Sequence, residues 1–193
     1  MYNIYGFFDL YSVSSDFLSC AVTVLPKERV NRINRYKKIE DKKLSAISYL
    51  LCIYALRDCF SLKNPIIETD EKGKPFLRDY PNIHFNLSHC KAGCVCAVSD
   101  TAIGVDIQNY VDYSHEVAVR VCSQRELEYI DKSKNKSVAF TKIWAMKESY
   151  LKMRGDGICV DLKEVNVFEI LDMIRVRVKD TCVIAICKEK LAT

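Results

Sequence analysis

Apolar positions along the chain recur with two different periods, and the period switches several times. Alternation over residues 2–9 predicts a first strand. Pro26 opens a basic helix over 27–38. Glu40-Asp41 begin a second helix, in which Leu44, Ile47, Leu50, Leu51, Tyr54 and Ala55 return at helical spacing until Asn64-Pro65 ends it. Thr69 to Leu77, centred on Gly73-Lys74-Pro75, predicts a turn between extended segments. Residues 83–87 and 93–98 predict two strands joined by a loop over Ser88–Ala92, and 103–107 predicts a third. Helical spacing then returns with a short helix over His115–Val121. Ser123 stands at the N-cap of the next helix, which runs to about Asp131, and Glu126 three residues later has capping-box spacing. A long helix follows from Ser137 to Met153, stopped by Arg154-Gly155-Asp156-Gly157. The tail alternates over 165–170, 173–178 and 182–187 in the manner of antiparallel strands. Helices followed by strands, twice, predict a mixed α+β fold with largely antiparallel sheets. Its loosely similar halves, 1–99 and 100–193, would pack as one unit with a seam near 99–112.

Composition narrows the class. Of the 193 residues 49% are hydrophobic, enough for one sizeable core shared by two halves. No apolar run approaches the length of a membrane span. The N-terminus has no basic segment ahead of an apolar one, so it reads as a strand and not as a signal peptide, and a cytoplasmic location is expected. Ten cysteines then read mostly as small buried hydrophobes, Cys20, Cys52, Cys59, Cys122, Cys182 and Cys187 among them. Cys90, Cys94 and Cys96 lack the second half that a closed zinc site needs.

The net charge is only +4, but residues 27–43 hold eight Lys or Arg against three acids. Such a cluster is a solvated helix face or an anion site. Nucleic acid is discounted as the anion, because Tyr36 is the only aromatic among the cations and no nucleic-acid-binding motif follows.

Two acidic motifs change the picture. In Trp144-x-x-Lys147-Glu148-Ser149-x-x-Lys152, Trp144, Glu148 and Lys152 fall on one helix face, one turn apart. A Glu–Lys pair at that spacing can be no more than a surface pair worth a few tenths of a kcal/mol. In Gly104-Val105-Asp106-Ile107-Gln108, an acid ends an apolar strand and must be solvated, paired or bound to a cation. Asp106, Glu148 and Gln108 could together offer oxygens to Mg²⁺, which takes one or two protein carboxylates and completes its shell with water and substrate phosphate. Phosphate needs donors. Lys152, Lys74 on its turn, and Ser88 with His89 in Asn86-Leu87-Ser88-His89 are candidates, each with a plain reading as a solvated or loop residue.

The order and spacing of Gly73-Lys74-Pro75, Asn86-Leu87-Ser88-His89, Gly104-Val105-Asp106-Ile107 and the Trp144–Lys152 motif resemble the 4′-phosphopantetheinyl transferases of the surfactin-synthetase-activating type. The resemblance runs from Pro26 to the C-terminal strands. It implies two pseudo-symmetric α/β halves with coenzyme A between them, and apo acyl or peptidyl carrier proteins as partners of a monomeric enzyme. No membrane and no nucleic acid would take part. Asp106 and Glu148 match the carboxylates that hold Mg²⁺ on the pyrophosphate, and Lys152 matches a lysine near the phosphates. Lys74, Pro75, Ser88 and His89 match groups around the nucleotide. Arg29 and Arg32 fall where basic residues grip the 3′-phosphate. Glu126 matches an acid near the metal, with its capping role as the alternative. The serine of the carrier needs a base, Glu148 first and Glu126 second. Two positions depart from the family pattern. Gln108 stands where many relatives have Glu, and Leu44 stands where a basic residue is frequent, which would shift nucleotide contacts to Lys42 or Lys43. A degenerate module that binds coenzyme A without transfer is the competing reading.

Overall fold

The computed structural model describes residues 1–156 and 160–190. Gly157, the last residue of the expected helix stop, lies outside them. The elements run β1 (Tyr2–Phe7), α1 (Phe17–Val24), α2 (Lys27–Asn34), α3 (Ile39–Phe60), β2 (Ile67–Thr69), β3 (Pro75–Leu77), β4 (His84–Cys90), β5 (Gly93–Ser99), β6 (Ile103–Asn109), α4 (His115–Val121), α5 (Gln124–Asp131), α6 (Lys136–Arg154), β7 (Ile174–Val178) and β8 (Cys182–Lys188). Short 3₁₀ turns occur at Leu10–Ser12, Leu162–Glu164 and Val167–Glu169. The mixed α/β class with antiparallel sheets is as expected.

Two three-stranded antiparallel sheets share one design. The first has order β1-β5-β4 and the second β6-β8-β7. In each, the last strand in sequence is central, and the first and the penultimate strands form the edges. A long helix covers the outer face of each sheet. Cys52, Ala55 and Leu56 of α3 pack with Phe85, Cys96 and Val98 of the first sheet. Ile143, Met146 and Met153 of α6 pack with Val183, Ala185 and Cys187 of the second. The alternate positions, Val95 and Ala97 of β5 against Val105, Ile107, Ile184 and Ile186, fill a core between the sheets. Strand parity thus sends odd and even residues of β5 and β8 into different cores, and both strands are continuously apolar for that reason.

Local chemistry sets the helix ends. Asn135 caps α6 by accepting from Val138 N–H, and Gly155 ends it in the left-handed region at φ 77°. Ser123 and Glu126 form the expected capping box on α5. Lys38 leads into α3, and Ser61 closes it at φ 54°.

The structure corrects four expectations. The basic helix stops at Asn34 instead of 38. Phe17–Val24, where the pattern predicts no element, is helical, although no side chain caps it and only Ala21 is buried. β4 runs through Ser88 and His89 to Cys90 and turns into β5 over two residues, so the expected 88–92 loop is mostly strand. Residues 165–170 are not a strand. Asp161 and Asn166 accept from the amides two residues on and bend the chain into 3₁₀ turns.

Among the described residues every cysteine is a free thiol. Burial pushes the Cys94 and Cys122 thiols up to about 11 and Cys187 to about 12. Cys20 is exposed and Cys59 only half-buried, against the expectation of burial. No helix among the described residues is long and apolar enough to cross a membrane.

Candidate active site

The two sheets meet where the outer edge of β4 faces the outer edge of β6. An edge strand leaves alternate backbone N–H groups without a ladder partner. Here side chains of β4 take that role. Asn86 Oδ1 accepts from Val105 N at 2.9 Å, and Ser88 Oγ accepts from Ile107 N at 3.2 Å. Asn86 and Ser88 are two apart on one strand, as are Val105 and Ile107 on the other, so the period of both strands matches across the seam. The seam lies inside the 99–112 interval expected for it only on its β6 side. Its other wall is the Asn86-Leu87-Ser88 motif.

The same place gathers the charged residues. Asp106 is 5% exposed. Its Oδ1 accepts from Ser88 Oγ at 2.8 Å and from Lys152 Nζ at 2.6 Å. Lys152 Nζ also donates to Ser88 Oγ at 3.1 Å and to the Val105 carbonyl at 3.4 Å. Asp106 Oδ2 is buried without a hydrogen-bond partner among the described residues. A carboxylate oxygen so placed loses water and gains nothing in return unless a donor or a cation meets it. Glu148, one turn before Lys152, has its carboxyl pushed above the usual range, first by desolvation and then by the negative charge of Asp106, with Lys152 acting the other way. Gln108 lies on the same face of β6 as Asp106 and is half-buried. Among the described residues no group of three or more His, Cys, Asp or Glu is gathered as a metal site, Cys90, Cys94 and Cys96 included. The donor set at this seam is two carboxylates and an amide.

α6 comes this close to β6 because Gly104 has no side chain. A Cβ there would collide with the Ser149 carbonyl oxygen and the Met153 amide of the helix. Gly104 therefore brings the α6 backbone onto β6, and Glu148 and Lys152 come with it.

A cationic patch adjoins the seam. His89 follows Ser88 but faces the other side of β4 and is exposed. Partial desolvation, then Lys152 and Arg29, hold its imidazole below the usual range, with Arg32 adding to this and Asp41 opposing it. Arg29 donates through Nη2 to the Ser45 carbonyl and, at 3.0 Å, to Ser45 Oγ, and its guanidinium lies 5.3 Å from the Tyr49 ring centroid. Burial, then Arg32, holds its pKa down. Its Nε is buried without a partner, and no carboxylate pairs with Arg29 or Arg32 among the described residues. A partly desolvated guanidinium without a carboxylate partner, beside further cations, is chemically suited to an anion. Leu44 is buried, and Lys43 is tied to the Val13 carbonyl at 2.9 Å, leaving Lys42 as the neighbour still open to a ligand.

Two sequence candidates stand elsewhere. Lys74 Nζ donates to the Met153 carbonyl at 2.6 Å, so its ammonium closes the C-terminal end of α6, and burial lowers its pKa. Pro75 begins β3 opposite Thr69. Glu126 is 0% exposed, and both of its oxygens are engaged. Oε2 accepts from Ser123 N and Lys147 Nζ, each at 2.7 Å, and Oε1 accepts from Val167 N at 2.9 Å. The capping role is thus present. No hydrogen bond or ion pair joins Glu126 to Asp106, Glu148 or Lys152. The sequence reading assigned no role to Asn86 or Lys147. Asn86 had a signal in its two-residue spacing from Ser88. Lys147 had one in its place among the apolar residues of α6, where a buried ammonium must find a partner.

Known proteins supply an independent comparison. The profile of the 4′-phosphopantetheinyl transferase superfamily matches residues 102–179. A second profile, of the 4′-phosphopantetheinyl transferase N-terminal region, matches residues 11–101. The 4′-phosphopantetheinyl transferase Sfp of Bacillus subtilis is 29% identical over 85% of this chain and 75% of its own. The 4′-phosphopantetheinyl transferase gsp of Aneurinibacillus migulanus is 31% identical over 76% of this chain and 62% of its own. The L-aminoadipate-semialdehyde dehydrogenase-phosphopantetheinyl transferase of Xenopus laevis is 29% identical over 81% of this chain and 57% of its own. The chain thus spans three quarters of the first and under two thirds of the other two.

Proposed function

Because the chain belongs to the 4′-phosphopantetheinyl transferase superfamily, a family of transferases, we propose that it moves 4′-phosphopantetheine from coenzyme A to a serine of apo acyl or peptidyl carrier proteins and releases adenosine 3′,5′-bisphosphate. The observation that carries this reading is the seam itself. Ser88 from one half, Asp106 from the other and Lys152 from α6 are joined by hydrogen bonds, Glu148 stands in the field of Asp106, and the cations Arg29 and Arg32 lie alongside with the His89 imidazole. Both walls come from one chain, so the enzyme is read as a monomer.

The chemistry follows from these groups. The serine oxygen forms a bond to the β-phosphorus while the bond to the leaving nucleotide phosphate breaks. Negative charge grows on the leaving side, and Lys152 supplies positive charge there. The serine proton goes to a carboxylate. Glu148 is assigned as the base, because it stands at the seam beside Asp106, and burial and that charge raise its proton affinity. Glu126 is not, because protein donors already occupy both of its oxygens. Arg29, Arg32 and His89 are assigned to the 3′-phosphate. Lys74 is assigned through the turn it fixes, with Pro75, to the nucleotide.

The residues present fit Mg²⁺. Asp106 Oδ2 is a buried oxygen without a partner among the described residues. The mutual repulsion of Asp106 and Glu148 is what a divalent cation relieves. Asp106, Glu148 and Gln108 would hold it, and once bound it would neutralise charge on the diphosphate.

Mass spectrometry of an apo carrier protein with coenzyme A and Mg²⁺ tests the reading. A gain of one phosphopantetheine is expected. Bound coenzyme A without any gain would leave only a binding module.

Two variants probe the assignments. Gln108→Glu adds a negative oxygen and should lower the half-saturating Mg²⁺ concentration about tenfold, by roughly 1.4 kcal/mol of added attraction. An unchanged Mg²⁺ titration would take Gln108 out of the site. Arg29→Ala with Arg32→Ala should raise the KM for coenzyme A at least about tenfold, each charge-assisted contact being worth roughly 1.5–3 kcal/mol, and should spare 3′-dephospho-coenzyme A. An equal loss with both substrates would move the 3′-phosphate elsewhere.

A further inference from the structure

Lys147 and Glu126 form the most completely buried ion pair among the described residues, at 1% and 0% exposure, yet neither touches the seam. Lys147 has three N–H donors. They meet Glu126 Oε2 at 2.7 Å, the Leu162 carbonyl at 2.8 Å and the Val165 carbonyl at 2.7 Å. Glu126 in turn holds the first turn of α5 through Ser123 N and the 3₁₀ segment through Val167 N. One side chain of α6 is thus fixed at once to α5 and to residues 162–167, with every donor used.

Lys147 immediately precedes Glu148. Adjacent helix residues differ by about 100° in direction, so the roll of α6 that seats Lys147 on its three acceptors also sets the direction of Glu148 and Lys152. The lever is short. A roll of about 10° moves an atom at the helix surface, about 6 Å from the axis, by about 1 Å. A displacement of that size costs on the order of 10²-fold in rate when it falls on a reacting group. Gly104 sets how close α6 lies to β6. A contact at one glycine fixes distance, and the apolar contacts of Ile143 and Met146 with Val183 and Ala185 are non-directional, so the directional bonds of Lys147 set the fine rotation.

We propose that Glu126 and Lys147 are a positioning pair, which locks the roll of α6 so that Glu148 and Lys152 face Asp106. This rests on the transferase reading above. It also gives Glu126 a role through the helix in place of one at the metal or the serine.

The test compares wild type with the Glu126→Gln/Lys147→Met double variant. That variant removes both charges, keeps the volume, and avoids stranding one charge in the core. It should melt cooperatively and keep the KM for coenzyme A within about threefold, while kcat falls at least about tenfold. Mn²⁺ affinity, followed by electron paramagnetic resonance with coenzyme A present, should weaken at least about threefold, because it reads the Asp106–Glu148 arrangement without turnover. A folded double variant with kcat within about twofold of wild type and unchanged Mn²⁺ affinity would reduce the pair to scaffold. A rise in KM alone would likewise overturn the proposal. If the double variant does not melt cooperatively, Glu126→Asp decides by the same readouts, since it keeps the ion pair and shortens it by one methylene. Wild type that transfers nothing would sink the transferase reading, and the Mn²⁺ comparison would still judge the positioning pair.

Discussion

Asp106→Ala should bring phosphopantetheine transfer below detection, a loss of at least about a thousandfold, with the fold retained. Removing one preorganised group that meets developing charge typically costs 10²–10³-fold, and Asp106 serves more than one such group. It anchors Lys152 Nζ at 2.6 Å and Ser88 Oγ at 2.8 Å, and it carries the buried oxygen without a partner. Stability should change less. Lys152 is 30% exposed at its side chain, so its ammonium can return to water when its partner goes. That contrasts with Glu126–Lys147, where losing one partner alone leaves a buried charge and costs about 3–5 kcal/mol. Asp106→Asn separates charge from shape, since the amide oxygen can still accept from Ser88. Activity should be nearly as low as in Asp106→Ala, because the amide brings no negative charge for Lys152 or a cation to meet. Steady-state turnover and thermal melts of both variants settle the point, and near-native kcat in either would remove Asp106 from the reaction.

The candidate site was legible in the sequence wherever spacing alone fixes direction. Glu148 and Lys152 are one helical turn apart, and Asp106 and Gln108 are two residues apart on a strand, so each pair had to share a face. Spacing could not say which acids are already spoken for. Glu126 sits at capping-box spacing whether its carboxylate is free or fully bonded, and only the arrival of Lys147 from α6 and Val167 from the tail decides that. The same long-range contacts explain the misread 165–170 segment. The Val165 carbonyl is taken by Lys147 and the Val167 amide by Glu126 rather than by a neighbouring strand, and alternation of apolar residues carries no mark of that. Lys74 shows the reverse case. A lysine on a turn looks solvated until the C-terminal carbonyls of a helix 79 residues away come within reach. The helix over Phe17–Val24 escapes the pattern because its near-uniform apolar content gives little helical periodicity, and Asp16 at its N-cap makes no capping hydrogen bond.

A large loss of stability should also come from Gly104→Ala. A methyl group is a small addition, and overpacking among side chains of a well-packed core typically costs about 1–3 kcal/mol. At Gly104 the atoms in its way are backbone, the Ser149 carbonyl oxygen, the Met153 amide and, at 3.0 Å, Met153 Cα. No rotamer change clears them, so all of α6 must move away from β6. That movement would also part Ile143 and Met146 from Val183 and Ala185 in the core beneath the helix. A loss of about 3 kcal/mol or more is expected, which for a chain of this size is a fall in Tm of roughly 6–12 °C. Gly73→Ala is the control. Its Cβ would meet nothing within 4 Å, and only the left-handed φ of 82° opposes it, at about 1–2 kcal/mol. The activity of Gly104→Ala should fall further than its folded fraction explains, because a helix displaced by about 1 Å carries Glu148 and Lys152 away from Asp106, and misplacement on that scale costs about 10²-fold. Melts and turnover measured on the same sample distinguish the two losses. A Tm within about 2 °C of wild type would mean that α6 does not rest on Gly104, and the geometric account of how Glu148 and Lys152 reach Asp106 would fall with it.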